Sequence, residues 1–212
     1  MINLDAMAEK IRKVLSDKDE AREKMLPLCR DSIRYSSTTI RAVHRHQFDE
    51  AEKLVQSARA VLTEAEKSIA DCPELGSAGA VKDAQKEMAE ASITLALVNG
   101  REIPEPEDLG VDVAAYLNGL GEAVGEIRRY LLDRMRQGDL SRGEELLGIM
   151  DDIYSMLLTM DFPDALTGGL RRTTDMVRGV LEKTRSDLTL AITQKSLEKR
   201  LADIDGGKGK EY

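Results

Sequence analysis

Two glutamates, Glu122 and Glu126, stand four residues apart in a stretch that otherwise holds mainly glycine, alanine and larger apolar residues. Residues four apart on a helix share one face, so the two carboxylates are expected to project to the same side. A second pair, Glu87 and Glu90, lies three apart in an earlier helical segment, again beside alanines. If the two helices pack against each other, four carboxylates converge, and their mutual repulsion requires a cation among them.

The kind of cation follows from the ligands at hand. Carboxylates and water suit hard cations such as Mg²⁺ or Mn²⁺. A ferritin-like di-iron site needs Glu-x-x-His motifs, and neither His44 nor His46 has a glutamate at that offset. The sequence also has no P-loop, no Gly-x-Ser-x-Gly and no dinucleotide-binding glycine pattern. The four acids therefore predict a Mg²⁺ or Mn²⁺ site. The alternative is a solvated acidic face, which is common in a chain with 39 acidic residues.

Basic residues follow one face of an earlier helical segment. At roughly 100° per residue, the arginines at 30, 34, 41 and 45 fall within a narrow arc. Because arginine binds phosphate oxygens bidentately, such a stripe predicts a nucleic-acid-binding surface. The predicted set is Arg30, Arg34, Arg41, His44 and Arg45. A solvated face, or salt bridges to neighbouring acids, is the alternative. Together with a cation site, the stripe points to hydrolysis of phosphodiesters.

Composition limits the class of protein. The 212 residues suit one domain, and 42% hydrophobic residues with 3% aromatics and no Trp favour a helical core of Leu, Ile, Val, Ala and Met. The formal charge of -8 argues mildly against a general nucleic-acid binder, although a local basic surface is compatible with it. Cys29 and Cys72 lack a metal-binding spacing, and no apolar run approaches the ~20 residues of a membrane span. A cytoplasmic protein with reduced thiols is expected.

The apolar periodicity predicts an all-α bundle of about seven helices, with one domain over residues 1–205 and a disordered tail over residues 206–212. A helix over residues 4–15 is expected to end in the polar run 16–19, and the next, reaching about residue 46, to kink or divide at Pro27. The remaining helices are predicted over residues 48–69, 78–98 and 113–136, from a capping box at Ser141 and Glu144, and over residues 170–204. Loops are expected at 71–77, 101–110 and 161–164.

Several stretches resemble one known family. Residues 111–119, followed by 125–129 and 137–142, resemble the matching stretch of translin and translin-associated factor X. Residues 170–172, Asp175 and residues 185–188 are similar to the last helix of that family. The likeness covers most of the chain and is clearest from about residue 86 onward.

The two branches of the family differ at the acids. Translin carries an apolar residue at the position of Glu122, whereas translin-associated factor X carries an acid there. Residues 86–91 are similar to the factor X segment that supplies its first two catalytic carboxylates. The resemblance therefore implies that Glu87, Glu90, Glu122 and Glu126 form the site of a Mg²⁺-dependent endoribonuclease, with Glu122 in place of the family's Asp. It places the chain nearer the factor X branch, as an archaeal-like member.

The family resemblance also implies partners. Its members form closed, octamer-like shells with RNA inside, so a homo-oligomer acting on single-stranded RNA is expected, with DNA as a further ligand. Few aromatic residues predict weak sequence preference and salt-sensitive binding through phosphates. Two alternatives remain. One is a shell that binds RNA or DNA without cleaving it, and the other is a helical scaffold whose arginines and acids pair within the bundle.

Overall fold

The computed structural model describes residues 4–76 and 79–207, and within these residues the regular structure is entirely helical. In chain order the helices are α1 (Leu4–His44), α2 (Phe48–Ser68), α3 (Pro73–Gly76), α4 (Gly79–Val98), α5 (Pro106–Leu109), α6 (Val113–Arg136), α7 (Gly143–Leu158), α8 (Asp164–Thr167) and α9 (Leu170–Gly207). The predicted all-α class is confirmed. The described part of the chain has six long helices and three single-turn helices, where about seven were expected.

Helix α1 corrects two predictions. It runs for 41 residues without a break at positions 16–19 and without dividing at Pro27. The polar run contains neither Gly nor Pro, and each such residue costs a helix only tenths of a kcal/mol. Pro27 removes one backbone donor, but it lies on the exposed side of the helix, where water can satisfy the freed carbonyl.

Helices α4 and α6 cross at the centre of the bundle. The hairpin of α1 and α2 packs on α4, while α7 and α9 pack on α6. The second half of α4 is buried on nearly every side, from Ala91 to Val98. Polar contacts join the layers: the Ser32 hydroxyl of α1 donates to the Ala58 carbonyl of α2 at 3.0 Å. None of the described helices is both long and apolar enough to cross a membrane.

The start of α7 differs from the capping box predicted at Ser141 and Glu144. Asp139 accepts the backbone N–H of Ser141 at 2.9 Å, so this segment forms a turn and α7 begins only at Gly143. Arg142, just before α7, donates to the carbonyls of Leu97 and Val98 and so satisfies the end of α4.

Most other boundaries match the sequence. The bounds of α6 are those predicted, and the Asp112 carboxylate caps it by accepting the N–H of Ala114 at 2.9 Å. The expected loops at 71–77 and 101–110 contain the single turns α3 and α5. Helix α9 continues through Gly207, into the expected tail, whose residues 208–212 lie outside the described part.

Candidate metal centre

The site is built where α6 crosses α4 at very short range. A Cβ placed on Gly119 would lie 2.6 Å from the Lys86 carbonyl oxygen and 3.0 Å from the Glu90 nitrogen. No residue larger than glycine fits this crossing without a shift of one helix. Gly121 and Gly125, the glycines beside Glu122 and Glu126, do not make this contact. Gly121 faces Thr173 of α9, and a Cβ on Gly125 would contact none of the described residues within 4 Å.

Three of the four predicted carboxylates meet at this crossing. Glu87 and Glu90 of α4 and Glu122 of α6 each present an oxygen, and these oxygens all lie within 4.8 Å of one another. We call these three residues the glutamate triad. The pairing of α4 with α6 expected from the sequence therefore brings together acids that are 32 residues or more apart in the chain.

Burial opposes ionisation of the two α4 members of the triad. Burial, followed by the charges of Glu122, Glu87 and Glu126, raises the pKa of Glu90 to about 8. Burial also raises the pKa of Glu87, against the opposing effect of Lys86. Such a set of oxygen ligands fits a hard divalent cation, whose charge would take the place of a proton at Glu90.

One ammonium group already lies against the triad. The Nζ of Lys86 donates to Glu122 at 2.8 Å and lies 3.8 Å from Glu87. Burial alone would lower the pKa of Lys86, but the hydrogen bond and charge of Glu122, with the charges of Glu87 and Asp83, outweigh burial and raise it. Lys86 is a site residue that was not predicted from the sequence, although it lies four residues before Glu90 on the same face.

The fourth predicted acid, Glu126, is not a member of the triad. Its carboxylate is hydrogen-bonded to Nε2 of His44 at 2.5 Å and lies 3.6 Å from Arg129. The His44 hydrogen bond, more than the opposing effect of burial, lowers the pKa of Glu126. Glu126 is nevertheless close enough for its charge to act on Glu90.

The structure changes the assignment of His44. It was expected to extend the arginine stripe, but its side chain is only 6% exposed and points inward to Glu126. Its other ring nitrogen, Nδ1, is buried and has no hydrogen-bond partner in the described structure. His44 therefore positions an acid beside the triad, and its side chain does not face solvent.

The four arginines of the predicted stripe are all exposed. Arg34 pairs with Asp31 at 2.9 Å and lies over the Tyr35 ring, which is the local pairing considered as an alternative. Arg41 donates to the Ser37 carbonyl and the Thr38 hydroxyl, one turn back on its own helix, and has no ion pair among the described residues. Arg30 and Arg45 have no ion-pair partner within residues 4–76 and 79–207. Three of the four are thus available to a polyanion.

An open cleft of about 750 Å³ adjoins the triad. Lys86 and Glu122 lie in its wall, so the cleft and the triad share two side chains. The other charged residues lining it are Lys82, Asp83, Asp164, Arg171, Arg172 and Asp175. Charges of both signs line this open cleft, which suits a ligand that carries charged or polar groups. No sequence pattern indicated this cleft, because its walls come from α4, α6, α8 and the start of α9.

Fold and site together define a class: an all-helical bundle with a carboxylate site for a hard cation at the crossing of two central helices. Comparison with known proteins narrows this class. AfC3PO, solved alone and in a complex with duplex RNA, is 34–35% identical to this chain with TM-scores of 0.81 and 0.83. The match covers 89% of this chain and 97–98% of AfC3PO. The chain therefore belongs to the translin family, which includes the C3PO proteins.

Two further comparisons give a protein of similar fold and a relative in sequence. NeC3PO in its apo form is 22% identical with a TM-score of 0.73, over 90% of this chain and 98% of that one, and shares the fold. An uncharacterized protein of Methanocaldococcus jannaschii, MJ0175, is 29% identical over 200 residues, which is 93% of this chain and 88% of the relative. No protein-family model matches the sequence.

Proposed function

We propose that this protein is a Mg²⁺- or Mn²⁺-dependent endoribonuclease that cleaves single-stranded RNA. The observation that carries the proposal is the convergence of Glu87, Glu90 and Glu122 within 4.8 Å at the crossing of α4 and α6. Three acids held together at a partly buried point oppose folding by repulsion and desolvation unless a positive charge, such as a bound cation, offsets them. The acid at position 122 also supports assignment to the factor X branch of the family.

The roles of the residues follow from their surroundings. Glu87, Glu90 and Glu122 would hold the cation, and Glu90 would exchange its proton for it. When bound, Mg²⁺ or Mn²⁺ offsets negative charge on the phosphoryl oxygens and acidifies water for attack on phosphorus. Glu126, kept ionised by His44, is suited to serve as a further ligand or to orient the attacking water.

The exposed arginines supply a sequence-independent contact to the RNA backbone. Arg30, Arg41 and Arg45 offer guanidinium groups free of ion pairs within the described residues. With 3% aromatic residues the chain has little material for stacking on bases. Binding is therefore expected to depend on phosphates and on salt. The complex of AfC3PO contains duplex RNA, so duplex RNA is the substrate to compare with a single strand.

We also propose that the protein assembles into an octamer-like homo-oligomer. Support comes from the first turns of α1, where a row of apolar side chains with helical spacing is more than half exposed in the single chain: Leu4, Met7, Ile11, Val14 and Leu15. Exposed rows of this kind usually mark contacts between proteins. Both cysteines are unpaired, in keeping with the reducing cytoplasm.

A cleavage assay tests the proposal. Purified protein is incubated with labelled single-stranded and duplex RNA in Mg²⁺, in Mn²⁺ and in EDTA. Cleavage is expected only with a divalent cation, and Glu90→Gln, Glu122→Gln and Glu126→Gln should each slow it by roughly a hundredfold or more. Glu144→Gln, an exposed acid on α7, is the matched control. Cleavage that survives both EDTA and these substitutions would refute the proposal.

A second candidate is binding of RNA or DNA without cleavage. The Lys86–Glu122 ion pair favours it, because this contact gives the acids a partner that is not a metal. Such a protein would retain oligonucleotides in a salt-dependent way and leave them intact in Mg²⁺. Metal-dependent shortening of RNA by the purified protein excludes this candidate.

A further inference from the structure

The Lys86 ammonium lies against two carboxylates of the proposed cation site. Its Nζ lies 2.8 Å from an oxygen of Glu122 and 3.8 Å from an oxygen of Glu87, two members of the glutamate triad. A divalent cation bound to the same carboxylates would come within a few ångströms of this ammonium. Two positive charges at such a distance repel strongly in a partly buried site. The ammonium and the cation therefore compete for the same oxygens.

The side chain has somewhere to move. Lys86 is 27% exposed and lies in the wall of the open cleft, with four flexible methylenes behind the ammonium. Asp83, one turn earlier on α4, lines the same cleft, and its charge already acts on Lys86. A change of side-chain rotamer would move the ammonium from the triad toward this acid and toward water.

We propose that the Lys86 ammonium is a built-in counter-ion that holds the glutamate triad together in the metal-free protein and turns into the adjoining cleft when a divalent cation binds. The inference rests on the proposed cation site. It assigns Lys86 two positions: against Glu122 without the cation, and in the cleft with it. In the second position the ammonium faces the space beside the triad, where it can contact a phosphate of the RNA.

Cation affinity provides the first test, with no RNA present. Isothermal titration calorimetry with Mg²⁺ or Mn²⁺ alone compares the wild type with Lys86→Met, Lys86→Arg and Lys82→Met. Because Lys86→Met lacks the competing charge, this variant should bind the cation roughly tenfold more tightly than the wild type does. Lys86→Arg keeps the charge and should bind close to the wild type. Lys82→Met should also bind close to it, because Lys82 lines the same cleft but has no ion pair within the described residues.

Direct observation of the lysine provides the second test. Reductive ¹³C-methylation retains the charge of lysines, and the Lys86 resonance can be assigned by its loss in Lys86→Arg. Addition of Mg²⁺ to the otherwise wild-type protein should shift this resonance and leave that of Lys82 nearly unchanged. This test does not depend on whether Lys86→Met folds.

The outcomes separate this inference from the proposed function. Tighter cation binding by Lys86→Met alone, with a moving Lys86 resonance, supports the exchange. Unchanged affinity in Lys86→Met, or a Lys86 resonance that Mg²⁺ does not move, overturns it while leaving the cation site in place. If neither cation binds to any of these proteins, both the exchange and the metal-dependent activity are wrong.

Enzyme kinetics add a further readout. If the protein is active, Lys86→Met should raise KM for single-stranded RNA at saturating Mg²⁺, although it binds the metal more tightly. A merely structural role of Lys86 would not produce these opposite effects.

Discussion

Gly119 of α6 lies directly on the backbone of Lys86 in α4, and a Cβ at this position would be 2.6 Å from the Lys86 carbonyl oxygen. Glu122 follows one turn later on α6, while Glu87 and Glu90 flank the same contact on α4. The distance between the helices therefore determines whether the three carboxylates can share one cation. Gly119 links the packing of the bundle to the chemistry of the site.

Replacement of Gly119 by alanine tests this link. The added methyl group should force α4 and α6 apart, since it meets backbone atoms that cannot rotate away. We expect Gly119→Ala to lower the free energy of unfolding by about 1–3 kcal/mol and to weaken Mn²⁺ binding in calorimetry. Gly125→Ala is the matched control, because a Cβ there would contact nothing within 4 Å in the part of the chain that the structure describes. It should stabilise α6 by roughly 0.5–1 kcal/mol. Equal effects of the two substitutions would show that the close crossing does not matter.

Local sequence patterns were sufficient to predict most helices. The limits of α6 could be predicted because a capping Asp112 precedes it and Gln137 with Gly138 follows it. The break expected at 16–19 and the joint at Pro27 were wrong, because a helix tolerates exposed polar residues and one exposed proline when packing holds its other face. Helical spacing also predicted that Glu87 and Glu90 share one face of α4, as they do in the triad.

The rest of the site depends on contacts that local sequence does not encode. His44 was assigned to the arginine stripe from its angle on α1, yet it bonds to Glu126, 82 residues away. The Lys86–Glu122 pair depends on the register of α4 against α6, which Gly119 sets by its missing side chain. The helical period predicts the direction in which each side chain points around the axis of its own helix. It carries no information about which helix lies opposite.

The buried acid Glu90 should make the metal-free protein less stable as pH rises. Its pKa is about 8 in the folded chain and about 4.3 in an unfolded one, so the folded state binds more protons between these values. The contribution of Glu90 to the free energy of unfolding is thus fully present below about pH 4 and is lost as pH rises through 8. The loss is on the order of a few kcal/mol. In urea unfolding with EDTA, Glu90→Gln should stabilise the protein near pH 9 and change little near pH 5. Exposed Glu144→Gln should have no such pH dependence, and the same shift at both pH values for Glu90→Gln would contradict the argument.

Divalent cations should reverse this loss of stability. A ligand that binds only the folded state adds about 2.7 kcal/mol when present at a hundred times its Kd. We expect Mg²⁺ or Mn²⁺ to raise Tm of the wild type near pH 8, where Glu90 begins to ionise and adds to the negative charge of the triad. The double variant Glu90→Gln with Glu122→Gln should not respond, whereas Glu144→Gln should respond as the wild type does. A cation-induced rise in Tm that persists in the double variant would place the cation elsewhere.

The arginine stripe predicts a specific change in the salt dependence of RNA binding. Each phosphate contact contributes about -0.7 to the slope of log K against log salt for a single strand. Arg30→Ala with Arg41→Ala should therefore reduce the slope by roughly 1.4, because neither guanidinium has an ion pair within the described residues. Arg34→Ala should have a smaller effect, since Asp31 already holds that side chain. Fluorescence anisotropy of labelled RNA in EDTA, between about 50 and 200 mM salt, measures the slope. Arg136→Ala, an exposed arginine paired with Asp133 at the end of α6, is the control, and a double variant that keeps the wild-type slope would remove the stripe from the RNA-binding surface.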